Sequence, residues 1–460
     1  MTQARHERAH EGAGAAGPEA ARRWPWGRRA LVAVGAIALV GFVLGWSPIA
    51  SLTARLMLVP GDVILEQRPD PVYERLFPRY VELCATSQWS KQVAGQGNPF
   101  GHAVLYLKGA CRDADAPIPQ LRRCERVATS LDDPEHGVGV SVGRFFRNVN
   151  WIAIPGYKLL HEGLLAPGDR LTQEALDATV RHAIGIGMFD GVDLHESWSD
   201  DPDATLADYV AAHSAGTDFA LRYARNVFCA RVPVDQPVLD EIVAFLNEKN
   251  LEYATGEADY NWNLFNNNCV HTVRNALAAA NVWTPIGVRE VKLRALMNLA
   301  VPANEFVNLA LLGASGPLDD FRDVQDHGPA RDSLHEFGWL PTAPGALVKT
   351  LPTIAENDLF DPGFRLFAVQ SLFSMGKAAD AVELLSDPAH VDLEANLRAF
   401  EARYARIEAE RMESREPFEG VRGDPYRRVS RLHLDHVRQK RAEVADLLAR
   451  LAALKAQAGQ

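Results

Sequence analysis

The chain has little cysteine, no excess of positive charge and one long apolar run. Five cysteines in 460 residues are too few for a disulfide scaffold. No CxxC pair occurs, so a zinc ribbon is excluded as well. Basic residues number 48 against 59 acidic ones, a net charge of −11. Such a surface repels phosphate backbones, and nucleic acid is not an expected partner. Gly185-Ile186-Gly187 is too short and lacks the context of a phosphate loop, which discards nucleotide binding. A mean hydropathy of −0.14 excludes a polytopic membrane protein. The hydrophobic share of 47% and charged share of 23% are those of a globular chain. At about 150 residues per domain, the length suggests two or three units.

The apolar run occupies residues 30–46 and carries no charge. Arg22, Arg23, Arg28 and Arg29 stand just before it. A bilayer core of about 30 Å needs roughly 20 apolar residues, so 30–50 suffices for a single anchor. The basic flank places the N-terminus in the cytoplasm and everything after residue 50 outside it. A cleaved signal peptide is the competing reading, with Leu52-Thr53-Ala54 a weak cleavage match. Residues 1–29 read as a disordered cytoplasmic tail. Outside the cytoplasm cysteines can oxidise. Cys84, Cys111, Cys124, Cys229 and Cys269 are odd in number, so at least one stays free. Cys111 and Cys124 are close enough to staple one loop; five buried thiols are the alternative.

Residues 51–345 mix strand and helix patterns. Strands are expected at 63–65, 100–107, 125–131, 139–142 and 226–232. Helices are expected over 171–187, 204–224, 237–249 and 269–280. From 346 to 460 only helical periodicity is expected. Leu393, Leu397, Phe400, Tyr404 and Ile407 make one stripe, and Val444, Leu448 and Leu451 another. Two such seams bury each other as an antiparallel helical hairpin, a surface that could hold a protein partner. His433 and His436, three apart and lacking a third ligand, are expected to be exposed surface histidines rather than a metal site. Asp200, Asp201, Asp203 and Asp208 read as a solvated acidic loop, since regular calcium-loop spacing is missing. Trp89, Trp151 and Trp262 could line a groove for an acyl chain, but isolated aromatics are more often core or rim.

Two segments carry chemistry. Asn98-Pro99-Phe100-Gly101-His102 places a histidine at the head of an apolar strand. Its ring nitrogens need partners, because burying them unpaired is unfavourable. Asn266-Asn267-Asn268-Cys269 precedes an amphipathic run. Asparagine is a good N-cap, so Cys269 is expected in the first turn of a helix. There the macrodipole and free amides favour thiolate and lower the thiol pKa. Each segment also has a bland reading, a satisfied core histidine and a buried structural cysteine. Together they supply the two parts of a thiol enzyme.

The order Gly61-Asp62, then His102, then Asn268-Cys269 resembles the circularly permuted papain-like superfamily of the NlpC type, which includes lecithin retinol acyltransferase-like proteins. A closer resemblance is to the Lnb N-terminal periplasmic domain family. It rests on Phe100-Gly101-His102 with its apolar strand, on Tyr260 through Asn268-Cys269, and on the stretch from Asp218 through Cys229 to the helix at 237–249. It covers about residues 60–285. The resemblance implies an α+β, permuted papain-like domain facing the periplasm from the inner membrane. It implies thiol-dependent acyl transfer on a membrane lipid or lipoprotein substrate, with no cofactor and no metal. Cys269 would be the nucleophile, His102 the general base and later acid, and Asn268 a supporting cap. A third polar partner is not placed; Glu125 and Ser130 are positional guesses. A peptidoglycan amidase or endopeptidase and a non-catalytic envelope scaffold are the alternatives.

Overall fold

The computed structural model describes residues 71–89, 97–130, 133–155, 170–212, 227–263, 267–280, 300–314, 324, 344–351, 358–359, 377–413 and 423–458. The expected anchor at 30–50 and strand at 63–65 lie outside them. Among the described residues, no helix is long and apolar enough to cross a membrane.

The chain enters through α1 (Pro71–Leu76), then β1 (Tyr80–Trp89) and β2 (Gly97–Lys108). The short pair β3 (Ala110–Arg112) and β4 (Leu121–Arg123) precedes β5 (Val138–Ser141) and β6 (Ile152–Pro155). Next come α2 (Gln173–Gly185), α3 (Leu206–Ala212), β7 (Val227–Pro233), α4 (Gln236–Ala254) and α5 (Cys269–Ala279). The remainder is α6 (Pro302–Ala314), β8 (Leu347–Leu351), α7 (Lys377–Leu384), α8 (Pro388–Val391), α9 (Leu393–Glu413) and α10 (Gly423–Ala458). The architecture is mixed α+β. Six strands form one antiparallel sheet in the order β6-β5-β2-β1-β7-β8.

Side chains alternate across a strand, and cross-strand partners share a face. Val81↔Leu107, Leu83↔Leu105 and Ala85↔Ala103 therefore lie on one face, all buried. Phe228 of β7, opposite Ala85, belongs to the same face, and its ring lies 5.5 Å from Phe306 of α6. This apolar face is the covered core. The other face is polar. Glu82 meets Arg231 of β7 at 2.6 Å and Lys349 of β8 at 2.6 Å. Lys108 reaches Glu74 of α1 at 3.0 Å, and His136 Nε2 lies 3.1 Å from the same carboxylate. Tyr106 closes the group at 2.5 Å from His136 Nδ1. Burial alone would raise the pKa of Glu74, but His136 and Lys108 outweigh it and hold the carboxyl below its ordinary value.

Two disulfides form, Cys84–Cys229 and Cys111–Cys124, and Cys269 is free. The first ties neighbouring strands β1 and β7 at opposed positions. The second closes the β3–β4 loop, so the reading of five thiols is set aside.

Three expectations are corrected here. Residues 125–130 are not a strand; the ladder stops at Arg123, and Glu135 takes the Glu125 amide at 2.6 Å. Nor is the chain after 345 wholly helical. Leu347–Leu351 pairs with β7 as the sixth strand, so the sheet crosses the expected domain boundary. Asn396 of α9 fastens this edge, accepting from Gly345 N at 2.7 Å and donating to Ala346 O at 3.1 Å. Finally, His433 and His436 are buried, not exposed. They fall in the same seam as Val429, Val437, Val444 and Leu451, where heptad spacing turns α10 inward toward Leu397, Phe400 and Ile407 of α9. The hairpin itself is as the periodicity predicts.

Candidate active site

β2 is irregular just before His102. Thr86 pairs with His102, but Gln88 pairs with Asn98, so β2 carries two more residues than β1 over this step. Gly101 sits in the irregularity at φ 75°, a backbone that L side chains rarely adopt. A bulge re-aims the side chain that follows it. The Asn/Pro/Gly loop of the sequence is thus a kink inside a strand, and it delivers His102, 7% exposed, to the strand's first regular position. Nε2 of the ring lies 2.8 Å from Ser141 Oγ, at the end of β5.

The α5 terminus is built by asparagines. Asn267 and Asn263 exchange backbone hydrogen bonds at 3.3 and 2.8 Å. Asn268 then takes an extended backbone, φ −144° and ψ −176°, and its Oδ1 accepts from Val270 N at 2.9 Å and His271 N at 3.3 Å. This is the N-cap predicted from sequence, and it starts the helix at Cys269. Asn150 of the β5–β6 connection donates to Thr272 Oγ1 at 3.3 Å, holding the first turn to the body.

The amides of Ala103, Val270 and Cys269 lie near the Cys269 sulfur and would favour its charged form. Ala103 directly follows His102. β5 pairs with β2 over Leu105–Leu107, so the Ala103 amide lies beyond that ladder. The fold therefore brings the Cys269 helix start to the His102 segment and adds Ser141. It does not produce a low-pKa thiol. Burial, at 8% exposure, pushes Cys269 up to about 11 despite the three amides. The expectation of a lowered pKa is corrected: desolvation outweighs the helix terminus. At neutral pH the group is a thiol.

Tyr260 lines the same place, fully buried. Among the described residues its hydroxyl has no hydrogen-bond partner. Burial, then the charge Cys269 would carry, raises its pKa well above the ordinary tyrosine value. Its carbonyl lies 3.1 Å from His195 Nε2.

Sequence reasoning missed Ser141. Glu125 and Ser130, the positions guessed for a third partner, are both exposed. The available signal was the hydroxyl in the otherwise apolar strand Val138–Ser141. Trp151 is core, its indole donating to Leu246 O at 2.8 Å, and Trp262 lies under the Arg144 guanidinium at 5.6 Å. The Trp89 side chain lies outside the described residues. The acidic run serves its own backbone: Asp201 accepts from Asp203 N, and Asp208 accepts from Thr205 N and Oγ1. Two clusters among the described residues have metal-like spacing, Glu82 with Cys84 and Cys229, and Glu135 with Cys111 and Cys124. In both, the sulfurs are already joined in disulfides.

In comparisons with known proteins, the chain matches no family model, no curated protein and no solved structure.

Proposed function

We propose that the protein is a thiol-dependent acyltransferase or hydrolase that works through an acyl-thioester on Cys269. One observation carries the reading: the Ala103 amide lies near enough to the Cys269 sulfur to favour its charged form, while His102, one residue earlier, has Nε2 held by Ser141. In this reading Nδ1, the ring nitrogen nearer the backbone, is the one that serves the sulfur.

The chemistry follows from a neutral thiol. His102 takes the S–H proton as the sulfur attacks an acyl carbonyl carbon. The carbonyl oxygen gains the charge and is met by the Cys269 amide, the Val270 and His271 amides being taken by Asn268 Oδ1. Collapse breaks the bond to the leaving alkoxide, which takes the proton back from His102. An amine or water then attacks the thioester, gives its proton to His102 and releases the thiol. Ser141 is a positioning residue: it holds the ring's plane, and with Nδ1 as the base its Oγ accepts from Nε2–H. Asn268 holds the helix start. The surroundings favour an apolar acyl group. Cys269 belongs to the same buried cluster as Tyr260 and Val270, and the desolvation that raises its pKa suits a hydrocarbon better than a polar peptide stem.

With the 30–50 segment as an inner-membrane anchor and the body periplasmic, a membrane lipid or lipoprotein is the substrate class. Anchoring would raise its local concentration. The experiment is a paired assay of the detergent-solubilised chain on a diacyl phospholipid and on muropeptides. Lysophospholipid formed by the native chain and lost in Cys269→Ser supports the proposal. Cleavage of muropeptides alone would replace it with a peptidoglycan amidase or endopeptidase. Inactivity on both, with full complementation by Cys269→Ser, would leave a scaffold.

A further inference from the structure

Ser141 closes β5, and Asn150 lies just before β6, so the two stand at opposite ends of one connection. Ser141 holds His102 at 2.8 Å, and Asn150 Nδ2 donates to Thr272 Oγ1 at 3.3 Å. Thr272 comes three residues after Cys269, and residues so spaced share a helix face. One short stretch of chain therefore touches both members of the pair. It meets the imidazole at its start and the thiol's helix turn at its end.

The stretch is stitched to its neighbours along its length. Phe145 O accepts from His195 N at 2.9 Å, and Arg147 N donates to Asp193 O at 2.9 Å. Asn148 donates to Gly191 O at 2.7 Å and accepts from Asp193 N at 2.8 Å. The far end is pinned by α4. Asn250 is fully buried and accepts from Asn150 N at 3.1 Å. It donates to Trp151 O at 3.1 Å and to Pro119 O at 2.9 Å. The Trp151 indole adds a second tie to α4 at Leu246 O. The backbone at Asn150 cannot shift without breaking buried hydrogen bonds.

Asn150 is the informative residue. It is 4% exposed, yet its Oδ1 has no hydrogen-bond partner among the described residues. Its side chain makes one hydrogen bond among them, the one to Thr272. A buried amide with half its capacity unmet is a poorer choice for stability than an apolar side chain. The bond it does make accounts for its place. Docking of α5 does not depend on that bond, because Arg274 already fastens the helix to Glu305 of α6 at 3.1 Å. What Asn150 holds is the turn that carries the sulfur.

We infer that the β5–β6 connection is the frame that sets the separation of the Cys269 sulfur and the His102 ring, with Asn150 and Asn250 as positioning residues. This role presupposes the Cys269–His102 reading of the site and names the part that aligns the pair. Ser141 governs the ring and Asn150 the helix turn. Asn250 fixes the end of the stretch on which Asn150 stands. Such alignment matters for rate, since a misplacement of about 1 Å can cost roughly 100-fold.

Thr272→Val in the full chain in detergent tests it, because it deletes the acceptor and keeps a similar shape. Two quantities are measured. One is the single-turnover rate of Cys269 acylation by a diacyl phospholipid, from rapid quench and mass spectrometry. The other is the pH profile of Cys269 alkylation by iodoacetamide, which needs no turnover. Acylation is expected to slow about tenfold, at an unchanged half-saturating phospholipid concentration. Alkylation is expected to quicken and shift to lower pH, because a loosened turn is less buried. Thr272→Ser, which keeps the hydroxyl, should restore both. Asn150→Ala should match Thr272→Val and serves if Asn250→Ala does not fold. Native acylation and a native alkylation profile in Thr272→Val and Asn150→Ala would overturn the inference, as would no recovery in Thr272→Ser. If the native chain forms no thioester, the proposed chemistry fails. The alkylation profile then decides the frame by itself: a shift in Thr272→Val supports it, and no shift overturns it.

Discussion

His102 Nε2 and Ser141 Oγ lie 2.8 Å apart, joining β2 to the end of β5 beside the only free thiol of the chain. A base that must take a proton from a neutral thiol needs one ring nitrogen held and the other presented. Ser141→Ala removes the holder. The expected loss is about tenfold in kcat/KM, the worth of one hydrogen bond. His102→Ala is expected to cost roughly 10²–10⁴. Steady-state kinetics on the phospholipid checks both, and a Ser141→Ala enzyme with an unshifted pH profile and full rate would remove Ser141 from the account.

The thiol predicts a pH dependence with a definite sign. Burial raises Cys269 from an ordinary 9.0 to about 11. The stability gained by keeping it protonated is complete below pH 9 and is lost as pH climbs toward 11. Alkylation by iodoacetamide should be slow at neutral pH and rise steeply over that window. A plateau already reached by pH 7 would mean a resting thiolate instead.

Cysteine oxidation is open to a direct count. Under denaturing, non-reducing conditions, one thiol per chain is expected to react with a thiol reagent, and none in Cys269→Ser. Loss of Cys84–Cys229, which spans 145 residues, should destabilise by about 5 kcal/mol. Loss of Cys111–Cys124, which spans 13, should cost about 3 kcal/mol. Urea unfolding of the two paired-alanine variants gives the order, and the reverse order would contradict it.

Much of this was legible beforehand. The apolar run of β2, the asparagine cap of α5 and the α9–α10 seams follow from periodicity and capping alone. What failed did so for physical reasons. β8 is five residues long and draws its strand identity from β7 and from Glu82, which takes Lys349, not from its own pattern. His433 and His436 look like surface groups in isolation, but heptad spacing carries them into the seam. Ser141 is one hydroxyl among many until β5 is laid beside β2. The thiol's pKa was misjudged because helix position is readable from sequence and burial is not.

The polar face of the sheet predicts a stability effect. Lys108 and Glu74 are buried together with His136. Lys108→Met leaves a buried carboxylate short of one partner and should cost about 3 kcal/mol by urea unfolding. Because Glu74 titrates below its ordinary value, its contribution is present above pH 4.5 and is lost as pH falls through the folded-state pKa. The native chain should therefore weaken in acid more than Glu74→Gln does. Equal acid sensitivity of the two would contradict this.

Trapping the intermediate bears most directly on the proposed chemistry. The full chain is incubated with a diacyl phospholipid, quenched in acid and measured by intact and peptide mass spectrometry. An added acyl mass, removed by hydroxylamine and mapped to Cys269, is the predicted result, strongly reduced in His102→Ala and absent in Cys269→Ser. An unmodified Cys269, or acylation that persists undiminished in His102→Ala, would contradict a thiol enzyme with His102 as its base.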